Sequence, residues 1–149
     1  MGFYFFSAVL AFVFFVFPWP QELLWLRPNF PGICVLYWGL TAGRNVSLSG
    51  VFFYGLLLDL FLGEKLGVQA LGLVIIAGLA AFLQPLFRIA KNVEQMLLVF
   101  FLISLQALIQ WLAYRLSGEP FNDFWPIFLP SLTSAFIWPL VLRLLDHWQ

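Results

Sequence analysis

The apolar runs of this chain are long and rarely interrupted, and that narrows its fold more than any other feature. Leu97-Leu-Val-Phe-Phe-Leu-Ile103 is one such run, with no polar residue in it. Strands of a membrane β-barrel would alternate apolar and polar side chains, and this run does not alternate. Its residues need a helix. With 63% hydrophobic and 9% charged residues in 149, a water-soluble domain of this size would leave much of its apolar surface wet, because small domains have too little core for their surface. The sequence therefore predicts an all-α integral membrane protein. At about 20 residues per crossing, it holds six membrane-spanning helices joined by short loops, in a single domain.

Prolines, glycines and charges set the boundaries. Helices are expected over about 3–17, 31–42, 46–62, 66–87, 95–116 and 124–145. Pro18-Trp-Pro20 stops the first, and Gln21 to Asn29 reads as a wet linker carrying Glu22, Arg27 and the interface-suited Trp25. The second segment is short for a crossing. Either the bilayer thins there or the Leu23–Leu26 stretch extends the helix. The fourth is rich in small residues: Ala70, Gly72, Ala77, Gly78, Ala80 and Ala81.

Several classes of function are excluded. Zero net charge and the lack of any basic run argue against nucleic acid and against polybasic lipid recognition. The lone Cys34 excludes an internal disulfide and a Cys-rich metal site; in its apolar segment it reads as a small hydrophobe. Met1 to Ser7 has no basic n-region, so the first segment reads as a permanent crossing and not as a cleaved signal. His147, beside Asp146, reads as a solvated tail residue. No nucleophile–base pair, phosphate loop or metal-ligand cluster is visible, so neither catalysis, a cofactor nor a metal is expected. Orientation is weakly encoded. With the N-terminus inside, Arg44, Arg88, Lys91 and Arg143 fall on the cytoplasmic side and Arg27, Lys65 and Arg115 on the other, four against three. Both termini are then cytoplasmic, and the Asn45-Val-Ser47 sequon faces the cytoplasm.

Asp59 is the one acid set well inside an apolar segment. It lies in the series Gly55, Asp59, Gly63 and Gly67, whose four-residue spacing puts the first members near one helix face. A carboxylate is costly in hydrocarbon, so it must meet protein, water or a helix end. Its place one turn before the end of the third segment suggests three roles. It could accept N–H groups from the Gly63–Gly67 turn or the start of the fourth helix, bind a partner or lipid headgroup, or relay an ion. The glycines permit a tight turn and close helix approach.

Other polar and small residues recur at helical spacing. Gln95, Gln106 and Gln110 share a stripe on the fifth helix, suited to a pocket or to interhelical hydrogen bonds. Ser7 with Ala11, Gly39 with Gly43, and Ser131 with Ala135 are small-xxx-small pairs. Helix six also carries Pro130, Thr133, Ser134, Trp138 and Pro139. Pro139 removes an N–H opposite the Ala135 carbonyl and predicts a kink.

These residues resemble the MreD family of rod shape-determining membrane proteins. The resemblance rests on Arg27-Pro28, Tyr37-Trp38, the Gly55–Asp59–Gly63–Gly67 series followed by Ala70-Leu71, and Pro130-x-x-Thr133-Ser134 through Trp138-Pro139. It implies a bundle similar to the substrate-binding subunits of energy-coupling-factor vitamin transporters. It implies a non-enzymatic scaffold of the bacterial elongation complex in the inner membrane. Such a scaffold would bind the membrane helix of MreC and, through it, work with MreB, RodZ, RodA and RodA's penicillin-binding transpeptidase partner in side-wall peptidoglycan synthesis. Asp59 carries over as the family-like acid. Partner-binding or structural roles are expected for Asp59, Gly55, Gly63, Gly67, Ser7, Ala11, Ser131, Ala135 and Trp138, with helices one and six as docking surfaces. A solute-binding transporter subunit is the competing reading; it requires a sealed pocket with convergent polar groups. Self-association is left open.

Overall fold

A computed structural model describes residues 2–118, 120 and 124–147, apart from the side chains of Leu24 and Trp25. The Trp25 ring, read above as suited to the interface, lies outside the described residues. The described chain forms six α-helices: α1 (Gly2–Val16), α2 (Phe30–Ala42), α3 (Leu48–Leu62), α4 (Val68–Ile89), α5 (Asn92–Leu116) and α6 (Leu129–His147). Short 3-10 turns at Gln21–Leu26, Gly43–Asn45 and Trp125–Phe128 join them. Among the described residues there is no strand.

Local chemistry sets several of the ends. The Asn29 side chain accepts the Gly32 N–H at 3.1 Å and Pro31 occupies the first turn, which together start α2. Ser47 accepts the Gly50 N–H at 3.2 Å to start α3. The Glu94 carboxylate accepts the Lys91 N–H at 2.9 Å at the start of α5. Pro85 and Pro139 lie inside α4 and α6, where each removes one helix N–H.

Segments Val68–Ile89, Asn92–Leu116 and Trp125–His147 have 22, 25 and 23 residues and are apolar enough to cross a bilayer. At 1.5 Å per residue they reach about 33–38 Å, against roughly 30 Å of hydrocarbon. The chain is an all-α membrane protein. α1 and α3 are shorter, at 15 residues each.

The 13-residue α2 is shorter still, and the stretch Leu23–Leu26 does not extend it. That stretch is a separate 3-10 turn, divided from α2 by Arg27–Asn29. The helix needs no extension because it is the centre of the bundle. Every residue from Pro31 to Leu40 is buried, with α1, α4, α5 and α6 around it. A helix wrapped in protein is not bound to match lipid thickness. α4 packs against α2, α3 and α5, and α5 packs on α6. Cys34 is buried in this core, and large aromatic and aliphatic side chains cover the outside. The chain's last described turn also differs from the tail expected of it: α6 continues through His147, and the Tyr37 hydroxyl donates to Asp146 at 3.2 Å.

Candidate functional site

Asp59 is fully buried, and both its carboxylate oxygens accept from the backbone. The Gly67 N–H lies 2.7 Å from Oδ2 and the Gln69 N–H 3.0 Å from Oδ1. Its own carbonyl accepts the N–H groups of Gly63 and Glu64 that close α3. One residue thus satisfies donors at the end of α3 and at the start of α4, where free N–H groups favour an anion. Gly63 and Gly67 have φ of 66° and 95°, a region that costs residues with a Cβ. Gly55 serves differently. A methyl group there would collide with Ala70 Cα and sit 2.8 Å from its nitrogen, so the α3 and α4 backbones touch at this point.

From Gln69 the polar contacts run through the bundle. Gln110 Nε2 donates to Gln69 Oε1 at 2.6 Å, and Gln106 Nε2 reaches the same oxygen at 3.4 Å. Asn29 Nδ2 donates to Gln106 Oε1 at 2.9 Å, and the Asn29 N–H donates to Ser134 Oγ at 2.9 Å. Ser134 in turn donates to the Pro130 carbonyl at 2.6 Å. This chain joins α3, α4, α5, the start of α2 and α6. Gln106 is fully buried, and Gly32 and Gly72 make room for it: a methyl on either would come within 2.8 and 2.9 Å of its side chain. The glutamine stripe therefore divides. Gln106 and Gln110 bond across helices, while Gln95 donates to the Phe87 and Ala90 carbonyls at the other end of α5.

Arg27 and Glu64 close the same end. The Arg27 guanidinium carbon lies 3.9 Å from the Phe15 ring centroid. Glu64, in the α3–α4 turn, has its carboxyl pKa raised above the usual range, first by desolvation and then by the Asp59 charge. Hydrogen bonds from Tyr114 and Gln69 and the Arg27 charge oppose that rise. The segment expected as a wet linker is thus partly built into the bundle: Pro28 is buried and Asn29 and Arg27 are half-buried.

The small residues of α1 and α6 point inward. Ser7 accepts the Trp38 indole N–H at 3.1 Å and donates to the Tyr4 carbonyl at 3.0 Å, and Ala11 joins the core. Ser131, Ala135 and Trp138 are buried; the Trp138 ring meets Phe87 edge-on at 5.7 Å. Ser131 Oγ and Trp138 Nε1 have no hydrogen-bond partner among the described residues. These residues are buried inside the bundle, so the surfaces that α1 and α6 present outward are their large apolar side chains.

Gln69, Asn29 and Glu64 were not singled out from sequence. Asn29 had a readable signal, since an asparagine two residues before a proline is a helix start. Gln69 had only its position just after Gly67. Among the described residues no three His, Cys, Asp or Glu side chains converge as metal ligands would.

This geometry can fix five helices relative to one another. The family model for rod shape-determining protein MreD matches residues 1–147. The rod shape-determining protein MreD of Haemophilus influenzae is 30% identical over 141 residues, covering 92% of this chain and 84% of that protein. No solved structure matches the chain. A match over essentially the full length, with a relative of similar extent, shows that the chain belongs to the MreD family of rod shape-determining proteins.

Proposed function

We propose that this protein is a non-enzymatic scaffold of the bacterial rod complex, lying in the inner membrane with both termini in the cytoplasm. It holds the membrane helix of MreC and so supports side-wall peptidoglycan synthesis by the assembly of MreB, RodZ, RodA and its transpeptidase partner. Family membership carries the cell-shape part of this reading. One structural observation favours a scaffold over a solute carrier: the amides of Asn29, Gln69, Gln106 and Gln110, two of them buried and two half-buried, bond to one another. Groups already paired in this way are not free to converge on a solute. The four-to-three basic distribution supports the orientation.

The docking face is the exposed row Leu129, Leu132, Phe136, Leu140 and Leu144 of α6, spaced at one side of a helix. In lipid, helices associate by packing and a few polar contacts, because lipid tails are as apolar as the helix surface. Truncating that row should therefore lose the partner without unfolding the bundle. Phe136→Ala with Leu140→Ala is expected to lose MreC in detergent co-purification, while Phe101→Ala, exposed on α5, keeps it. Full MreC recovery with the α6 double variant would refute this face. A vitamin panel that raised the melting temperature would revive the carrier reading.

A further inference from the structure

At the end of the bundle that carries the start of α1 and the end of α6, a cleft of about 670 Å³ separates the turn after α2 from the last turns of α4. Arg44 stands on one side and Arg88 on the other, and no acidic residue lines it. Both arginines are exposed, with no ion-pair partner among the described residues. Gln84 Nε2 donates to the Thr41 carbonyl at 3.2 Å and pins the two walls together. The acids nearest this end are used elsewhere. Glu94 accepts the Lys91 N–H at 2.9 Å and Asp146 accepts from Tyr37 at 3.2 Å.

The cleft runs into a second space. Between α1 and α3 lies an apolar groove of about 710 Å³, walled by Phe5, Val9 and Phe12 on one side and Val46, Leu57 and Phe61 on the other. Ala42 and Asn45 line both spaces. The Tyr54 hydroxyl, which also borders the groove, is engaged by the Ala8 carbonyl at 3.1 Å. The groove follows α3 to Phe61, about 20 Å of helix, more than the roughly 15 Å of one leaflet's hydrocarbon.

We propose that the joined cleft and groove bind one anionic phospholipid, its phosphate between Arg44 and Arg88 and an acyl chain between α1 and α3. Guanidiniums pair with phosphate oxygens through charge-assisted, bidentate hydrogen bonds, and the apolar groove adjoins the cleft at Ala42 and Asn45. The lipid completes the contact between α1 and α3, which otherwise meet only sparsely.

The test uses the full chain in dodecyl maltoside, followed by thermal unfolding against added dioleoylphosphatidylglycerol, dioleoylphosphatidylcholine or inorganic phosphate. Phosphatidylglycerol should raise the midpoint saturably; the other two should not at matched concentration. Arg44→Gln with Arg88→Gln should weaken half-saturation about thirtyfold, which at 1.4 kcal/mol per tenfold is about 2 kcal/mol, or roughly 1 for each arginine near an anionic surface. Lys91→Gln with Arg143→Gln, basic positions at the same end but outside the cleft, should keep the parent value. Val9→Trp, which fills the groove from an exposed position, should weaken binding as well. An unchanged response in the arginine double variant overturns the proposal, and so does equal loss in the Lys91/Arg143 control. Parent-like binding by Val9→Trp also overturns it, by reducing the site to a headgroup contact. Should a variant fail to fold, native mass spectrometry of the parent decides: one phosphatidylglycerol retained over phosphatidylcholine supports the site, and none retained refutes it.

Discussion

Replacing Asp59 by leucine removes the acceptors of two backbone N–H groups, those of Gly67 and Gln69, and puts a larger side chain into a fully buried site. Hydrogen bonds to a charged acceptor contribute roughly 1.5–3 kcal/mol each, so the pair is worth about 3–6 kcal/mol. The lower end is the better guide, since polar contacts in membranes measure smaller than in water. At about 3 °C per kcal/mol for a chain of this size, Asp59→Leu should lower the melting temperature by roughly 10 °C. Asp59→Asn should cost about half as much. Each carboxylate oxygen accepts a different N–H, so an amide serves one and turns its NH2 on the other. The assay is intrinsic tryptophan fluorescence during heating in detergent, with size exclusion to confirm a folded starting state. A leucine variant within about 2 °C of the parent would refute the claim that this acid holds the α3–α4 turn. An asparagine variant as unstable as leucine would refute the two-acceptor geometry and leave charge as the decisive property.

Gly55→Ala should destabilise the bundle by about 1–3 kcal/mol, because the new methyl meets the Ala70 backbone, which cannot yield as a side chain would; denaturant titration reads this directly. Gln106→Leu strips the Asn29 amide of its acceptor and should cost about 1–3 kcal/mol. Combined with Asn29→Leu it should cost less than the sum, a non-additivity that a double-mutant cycle measures. Glu64 has a raised folded pKa, so its charged form is the disfavoured one. That penalty is present above the folded pKa and vanishes as pH falls below the ordinary carboxylate value near 4.5. Glu64→Gln should therefore melt higher than the parent at pH 7, and the gain should disappear near pH 4; an equal gain at both would refute it.

Sequence alone determined the all-helical membrane class and the turn after Asp59. Run length, prolines and the αL glycines act locally, and a carboxylate one turn before two glycines has few places to put its charge. The start of α2 was legible too, in Asn29 and Pro31, although that segment read as a linker. Tertiary structure decided the rest: that short α2 is the core, that Gln106 and Gln110 meet Gln69 rather than a cavity, and that Ser7, Ala11, Ser131 and Ala135 face inward. It also brought Arg44 and Arg88 to one cleft from separate parts of the chain. The physical reason is the solvent. In water, an apolar stripe marks the inside of a helix; in lipid the outside is equally apolar. Periodicity therefore shows that a helix has faces without showing which face meets protein, and only the packed bundle distinguishes them.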